Sequence, residues 1–206
     1  GEDTLSLHDA LPICDRLWVA ENRDYESRGF GYSKAGNSRI LILEDTNHDG
    51  IADSKKVFLE GIAFPAAMAV GFDGLFLGPP PNLLFVPDKN HDDVADTSDI
   101  EIRLTGWGIR DRHETLNSLH WGPDGWLYGL NGVFNRSQIT YRGREYDFTC
   151  ALFRIHPRTR DFELFAEGTS NPWGMDWRNT DGQFILCACV IPHLYHIVPG
   201  GNYRRQ

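Results

Sequence analysis

No stretch of this sequence is apolar for long enough to cross a bilayer. The longest apolar run, "FILCACVIP" at 184–192, is far short of the roughly 20 residues a membrane helix needs. Basic clusters are absent as well: 20 Lys and Arg stand against 29 Asp and Glu, for a formal charge of −9. Nucleic-acid binding rests on clustered cations that track phosphates, so that class is excluded. Cysteine is scarce, at four residues with no CxxC and no CxxCH, so neither a zinc ribbon nor a covalent haem attachment is encoded in this stretch. Cys187 and Cys189 lie two apart in an apolar run and would share one face of a strand. Buried thiols are the expectation for them. No window of about 15 residues keeps a helical period; the nearest candidate, around 112–120, is short and bounded by Gly and Pro.

What the chain does have is a globular balance of apolar and charged residues and a succession of short strand-like runs. "RLWVAEN", "RILILED", "KKVFLEG", "NLLFVPD", "IEIRLTG", "GWLYGLNG", "ALFRIHP", "FELFAEG" and "GQFILCAC" are each bounded by Gly, Pro, Asn or Asp. The first 14 residues are set apart, because "TLSLHDALPI" resembles a translated reading frame of a common DNA-sequencing adapter. Residues 15–206 are then expected to be a fragment of a longer gene product.

The runs repeat. The segment 57–78 is echoed by 102–129 and by 163–186, each reading strand, Gly, loop, apolar strand, Asp-Gly turn, apolar strand. Asp73-Gly74, Asp124-Gly125 and Asp181-Gly182 are the expected hairpin turns, with Gly taking a positive φ. They fall 51 and 57 residues apart, close to the blade period of a β-propeller with inserted loops. The fold class is therefore all-β, a partial six-bladed propeller of a little over three blades, with an open β-sandwich as the alternative. Aromatics that recur with the blades, Trp121, Trp126, Trp173 and Trp177, are expected in the blade core.

Two acidic stretches stand out, "DTNHDGIAD" at 45–53 and "DKNHDDVAD" at 88–96. Asp45, Asn47, Asp49 and Asp53 occupy positions 1, 3, 5 and 9 of a calcium-loop spacing, with the Ile51 carbonyl at 7. In the second copy Asp88, Asn90, Asp92, the Val94 carbonyl and Asp96 fill the same places. Asp93 replaces the Gly of position 6, which Asp tolerates better than most residues. Strand-like flanks place both on hairpins, where they resemble the calcium loops of integrin-type propellers. Solvated turns held by Asx hydrogen bonds are the alternative.

Chemistry is expected elsewhere. His113 sits in a polar loop with Asp111, Arg112 and Glu114 and could serve as a general base. Asn171-Pro172 fixes a turn at a strand start, and His193 and His196 flank Tyr195 in "IPHLYHIVPGGNY". "HWGPDGWLYGLNG", "GTSNPWGM" and "HIVPGGNY" resemble motifs of the soluble quinoprotein glucose/sorbosone dehydrogenases. "SRILILEDTNHDGIAD" and "LNSLHWGPDGWLYG" are similar, more closely, to membrane-bound dehydrogenase propellers of planctomycete-type bacteria.

The resemblance implies an exported, periplasmic oxidoreductase that uses pyrroloquinoline quinone (PQQ) and calcium to oxidise a sugar or polyol hydroxyl. His113 would be the base, and Asn171, His193, His196, Asn202 and Tyr203 would line the cofactor. Electrons would pass to a cytochrome c-type haem domain outside this chain. Ser170 stands where the family pattern has Arg, which is the clue to the competing class, a non-catalytic, calcium-stabilised propeller that binds carbohydrate or protein.

Overall fold

The computed structural model describes residues 10–13, 16–24, 36–178, 180–189, 191 and 193–204. Among them there is no α-helix, and strands are the only extended elements. The first sheet contains β1 (Ala10–Ile13), β2 (Arg16–Glu21), β3 (Ser38–Glu44) and β4 (Ser54–Ile62), paired in that order. The second contains β5 (Met68–Val70), β6 (Gly74–Leu77), β7 (Asn82–Pro87) and β8 (Glu101–Thr105). In the third, β9 (Leu116–Trp121) and β10 (Leu127–Asn131) pair with β13 (Ala151–Ile155) and β14 (Phe162–Gly168). A separate hairpin, β11 (Ser137–Tyr141) and β12 (Arg144–Phe148), interrupts the third sheet. The fourth holds β15 (Asn171–Trp177), β16 (Phe184–Cys189) and β17 (His193–Ile197), while β18 (Gly201–Tyr203) runs parallel to β14 on the outer edge of the third sheet.

Apart from the parallel edge strand β18, the strands of each sheet pair antiparallel, and β9 lies beside both β5 and β15. First strands side by side with sheets stacked face to face are the arrangement of propeller blades. The core confirms the stacking. Trp18, Ile40 and Phe58 of the first sheet pack on Leu75, Leu77 and Val86 of the second. Phe76, Leu83 and Phe85 of the second pack on Leu116, Leu127 and Phe153 of the third. Tyr128, Leu130 and Leu152 of the third meet Phe184, Leu186 and Ile197 of the fourth. This explains why "GLFL" (74–77) is apolar throughout: Leu75 and Leu77 enter one seam and Phe76 the other, so both faces are buried. Each such side chain contributes about 1.5–3 kcal/mol on burial.

As expected, the stretch around 112–120 is not helical; it is a loop entering β9, where the Asp111 carboxylate accepts the His113 N–H at 2.8 Å. Three expectations change. At the first Asp-Gly turn the left-handed residues are Phe72 and Asp73. Gly74 is required for space instead, since a Cβ there would sit 2.5 Å from the Val86 carbonyl oxygen. Gly125 and Gly182 do take positive φ, as expected. Cys187 and Cys189 are exposed, leaving Cys150 as the buried thiol among those described. Trp173 is 39% exposed, whereas Trp121, Trp126 and Trp177 pack against the seams.

Candidate functional site

Strand alternation sorts the connections between two ends of the molecule. Loops β2–β3, β4–β5, β6–β7, β8–β9, β10–β11 and β14–β15 fall at one end, which carries His113 and Asn171. Loops β3–β4 and β7–β8, which carry the two acidic stretches, fall at the other. The two candidate chemistries are thus separated by the length of the strands.

His113 lies in the β8–β9 loop with its side chain 51% exposed, and its Nδ1 is 3.5 Å from the buried Asp111 Oδ1. The loop is held from beneath by a polar network in which Asn131, Asn135 and Ser137 are fully buried. Asn135 Oδ1 accepts the Asp111 N–H at 2.9 Å, and its Nδ2 donates to the carbonyls of Asp111 at 2.5 Å and Glu114 at 2.9 Å. Asn131 Nδ2 donates to the Gly132, Asn135 and Thr149 carbonyls. Ser137 Oγ donates to Asn131 Oδ1 at 3.0 Å and accepts the Gly108 N–H at 2.9 Å. Buried amides satisfied this fully make the loop rigid. Sequence reasoning missed these three residues, because "LNGVFNRS" reads as the polar end of a strand and its partners lie about 20 residues away.

Asn171 opens β15, buried, with its Oδ1 lacking a hydrogen-bond partner. The neighbouring inner strand grips the same segment. Asn117 Nδ2 donates to the Thr115 carbonyl at 2.9 Å and to the Pro172 carbonyl at 3.3 Å, and Ser118 Oγ donates to the Trp173 carbonyl at 2.5 Å. Asn117 Oδ1 is also buried without a partner. Ser118 takes a φ of 52° at a bulge opposite β10, and bulges re-aim side chains next to sites. Ser170 is buried beside Asn171, its carbonyl accepting from the Cys150 thiol.

The remaining expected residues lie apart. His193 opens β17 opposite Ala188 at the His113 end, and its side chain falls outside the described residues. His196 pairs with Ile185 further along the strand, and its carbonyl accepts the Tyr203 hydroxyl at 2.8 Å. Asn202 and Tyr203 lie on the outer edge of the third sheet, paired with Glu167 and Gly168.

The two acidic loops are built alike. Asp45 accepts the N–H groups of Asp49 at 3.2 Å and Gly50 at 2.7 Å, and Asp88 accepts those of Asp92 and Asp93 at 3.2 Å each. Asn47 accepts the Asp49 N–H as Asn90 accepts that of Asp92. Asp49 and Asp92 each accept at 2.8 Å from Ile51 and Val94. Asp53 and Asp96 close the loops on the N–H groups of Thr46 and Lys89. The Thr46 N–H and hydroxyl hold the Asp53 carboxyl below the usual range. Among the described residues no three His, Cys, Asp or Glu side chains converge as a metal cluster.

The chain matches the family described as a domain of unknown function (DUF7133) over residues 15–206. It belongs to that family. No curated protein matches it. Among solved structures it is similar to a proposed oxidoreductase (glucose dehydrogenase) of Thermus thermophilus, at 16% identity and a TM-score of 0.47. The match covers 95% of this chain and 62% of that one, so this family member spans somewhat under two thirds of that protein's length. No helix among the described residues is long and apolar enough to cross a membrane.

Proposed function

We propose that this propeller belongs to an exported oxidoreductase acting on a hydroxyl of a sugar or polyol at the His113 end. The observation that carries the reading is the His113–Asp111 pair, a half-exposed imidazole 3.5 Å from a buried carboxylate on a loop locked by Asn135. A carboxylate beside one ring nitrogen orients the imidazole, and an imidazole so oriented is a candidate proton acceptor. Oxidation of a hydroxyl releases two protons and two electrons. His113 would take the hydroxyl proton, and the second hydrogen would leave carbon with both electrons to a bound oxidant, for which the motif resemblance implies PQQ and, beyond this chain, a c-type haem domain.

The polar groups at this end are mixed: Arg112, buried in the His113 loop, is a cation, while Asn117 Oδ1 and Asn171 Oδ1 on β9 and β15 are buried acceptors without a hydrogen-bond partner. Ser170 offers no charge where the family pattern has Arg. The same acceptors suit ligand hydroxyl groups, which favours a second reading, a non-catalytic propeller that binds carbohydrate.

Dye-linked oxidation of aldoses and polyols, with and without added PQQ and calcium, tests the first reading alongside calorimetric titration of the same sugars. Turnover that His113→Asn abolishes while sugar affinity persists supports the oxidoreductase. Binding without turnover establishes the second reading, and neither binding nor turnover removes both. Calcium at the opposite end belongs to the proposal as a stabilising ion of the acidic loops, remote from the reaction.

A further inference from the structure

We propose that the outer rim of the seam between the second and third sheets holds one small oxyanion, of the phosphate or sulfate class, between Arg103 and Arg160. Arg103 leaves β8, the outermost strand of the second sheet, and Arg160 stands in the turn that joins β13 to β14 of the third. Both reach the same carboxylate oxygen. Arg103 Nη1 lies 3.6 Å from Glu101 Oε2, and Arg160 Nη2 donates to that atom. A single carboxylate thus serves two guanidinium groups, which leaves a positive charge uncompensated on the rim of a chain whose formal charge is −9.

Arg103 is the residue short of partners. Its side chain is 9% exposed, its Nε has no hydrogen-bond partner, and its contact with Glu101 is too long for a hydrogen bond. Its guanidinium carbon sits 4.8 Å from the centre of the Phe85 ring and 5.8 Å from that of Phe76, a contact that offsets part of the burial without using an N–H donor. Burial holds the pKa of Arg103 below the ordinary arginine value against the pull of Glu101, and Arg160 adds to the lowering. The group stays charged nonetheless, because arginine keeps its proton in proteins. A buried cation requires hydrogen bonds as well as counter-charge. Asp161, beside Arg160 in the chain, is committed elsewhere, accepting the Tyr141 hydroxyl at 2.8 Å and pairing with Arg142 at 2.9 Å. An anion arriving from the solvent side, where Arg160 is 54% exposed, would supply both needs. Guanidinium forks match the paired oxygens of phosphate and sulfate, whereas chloride has no such pair to offer.

Inorganic phosphate is the probe. Calorimetric titration of the chain at constant ionic strength, with chloride as the balancing anion, is expected to show a single site. Arg103→Lys keeps the charge but not the fork and should weaken binding about tenfold, the worth of one charge-assisted hydrogen bond. Arg160→Gly should weaken it by about the same factor, and Gly suits the φ of 62° at that position, so the fold is kept. Glu101→Gln has the opposite sign: loss of the competing carboxylate should tighten phosphate about fivefold, a gain that a purely structural role for Arg103 does not produce. Phenyl phosphate separates the sources of the anion. Binding as tight as that of phosphate assigns the site to a phosphoryl group carried on a larger molecule, and weaker binding assigns it to the free ion. No phosphate bound, binding that chloride matches, or affinity unmoved by Arg103→Lys and Arg160→Gly would overturn the proposal and leave Arg103 as packing against Phe85.

Discussion

The carboxamide of Asn135 grips both polar groups of Asp111, accepting its N–H at 2.9 Å and donating to its carbonyl at 2.5 Å. It imitates a strand edge where no strand is present, and its second amide hydrogen reaches the Glu114 carbonyl. Asn135→Ala would strip partners from three backbone groups around buried Asp111 and Glu114. Since each orphaned buried group costs about 1–3 kcal/mol, a loss of about 3 kcal/mol is expected in urea denaturation. Asn135→Asp should be no milder, because it removes both donors and buries a charge. A loss under about 1 kcal/mol for Asn135→Ala would show that the loop is held by other contacts.

Asp93 joins the first two blades. Its carboxylate pairs with Arg16 at 2.7 Å and with Lys56, both on the first sheet, while the adjoining Ala95 N–H donates to the Phe58 carbonyl at 2.8 Å. Burial raises its pKa, but hydrogen bonds from Lys56 and Arg16 outweigh that and hold it below the usual carboxylate range. Its backbone is left-handed, with φ at 68°. Three substitutions separate the two contributions. Asp93→Asn and Asp93→Gly lose the ion pairs, at about 1 kcal/mol. Asp93→Ala loses them and adds left-handed strain of about 1–2 kcal/mol. The expected order of melting temperatures is wild type, then Asn and Gly together, then Ala, with the gap from wild type to Asn narrowing in 1 M salt.

Much of this architecture was legible in the sequence. The inner runs β6 and β10 are buried throughout because both of their faces enter seams between sheets, whereas the outer runs β4, β8 and β14 carry exposed residues; Gly, Pro, Asn and Asp at their ends mark both kinds. Both acidic stretches lie on hairpin loops with the same hydrogen bonds, and Asp93 does adopt the left-handed backbone that Gly50 adopts in the first copy. The less legible parts depend on long-range pairing. The period of β9 is broken by the bulge at Ser118, and β18 pairs with the sheet before its own. Thiol exposure was misread because apolar composition around Cys187 and Cys189 says nothing of whether a second sheet covers that face. At the candidate site His113 and Asn171 stood out by residue type and context alone, whereas Asn117, Asn131 and Asn135 hold partners 18 to 55 residues distant.

Calcium should act on the acidic loops alone. The Asp45 and Asp49 oxygens accept loop N–H groups, yet each carboxylate oxygen retains a further lone pair for a cation. At ten times its dissociation constant, calcium bound to the native state would add about 1.4 kcal/mol. Millimolar calcium is expected to raise the melting temperature and excess chelator to return it to the metal-free value. Asp49→Asn should blunt the response more than Asp92→Asn, because the second loop already has Arg16 and Lys56 as local cations at Asp93. A melting temperature indifferent to both additions would leave the stretches as hydrogen-bonded turns.

Acid should loosen the first sheet by way of Glu21. The hydrogen bond from Arg39 on the paired strand, and then that from Arg23, outweigh partial burial and hold the Glu21 carboxyl near a pKa of about 2 against an ordinary 4.5. A folded pKa below the unfolded one means that the unfolded chain binds the extra proton. The stabilisation is therefore complete above pH 4.5 and drains away as the pH falls towards 2. Glu21→Gln, of the same shape, should be less stable than wild type near neutral pH and flatter through that acidic window, with the two curves converging at its lower end. Asp24 keeps some slope in both proteins, since hydrogen bonds from Ser38 and the Asn37 and Phe64 N–H groups hold it low against its burial. Urea midpoints across the window decide the matter, and parallel curves for the two proteins would remove Glu21 as a source of acid sensitivity.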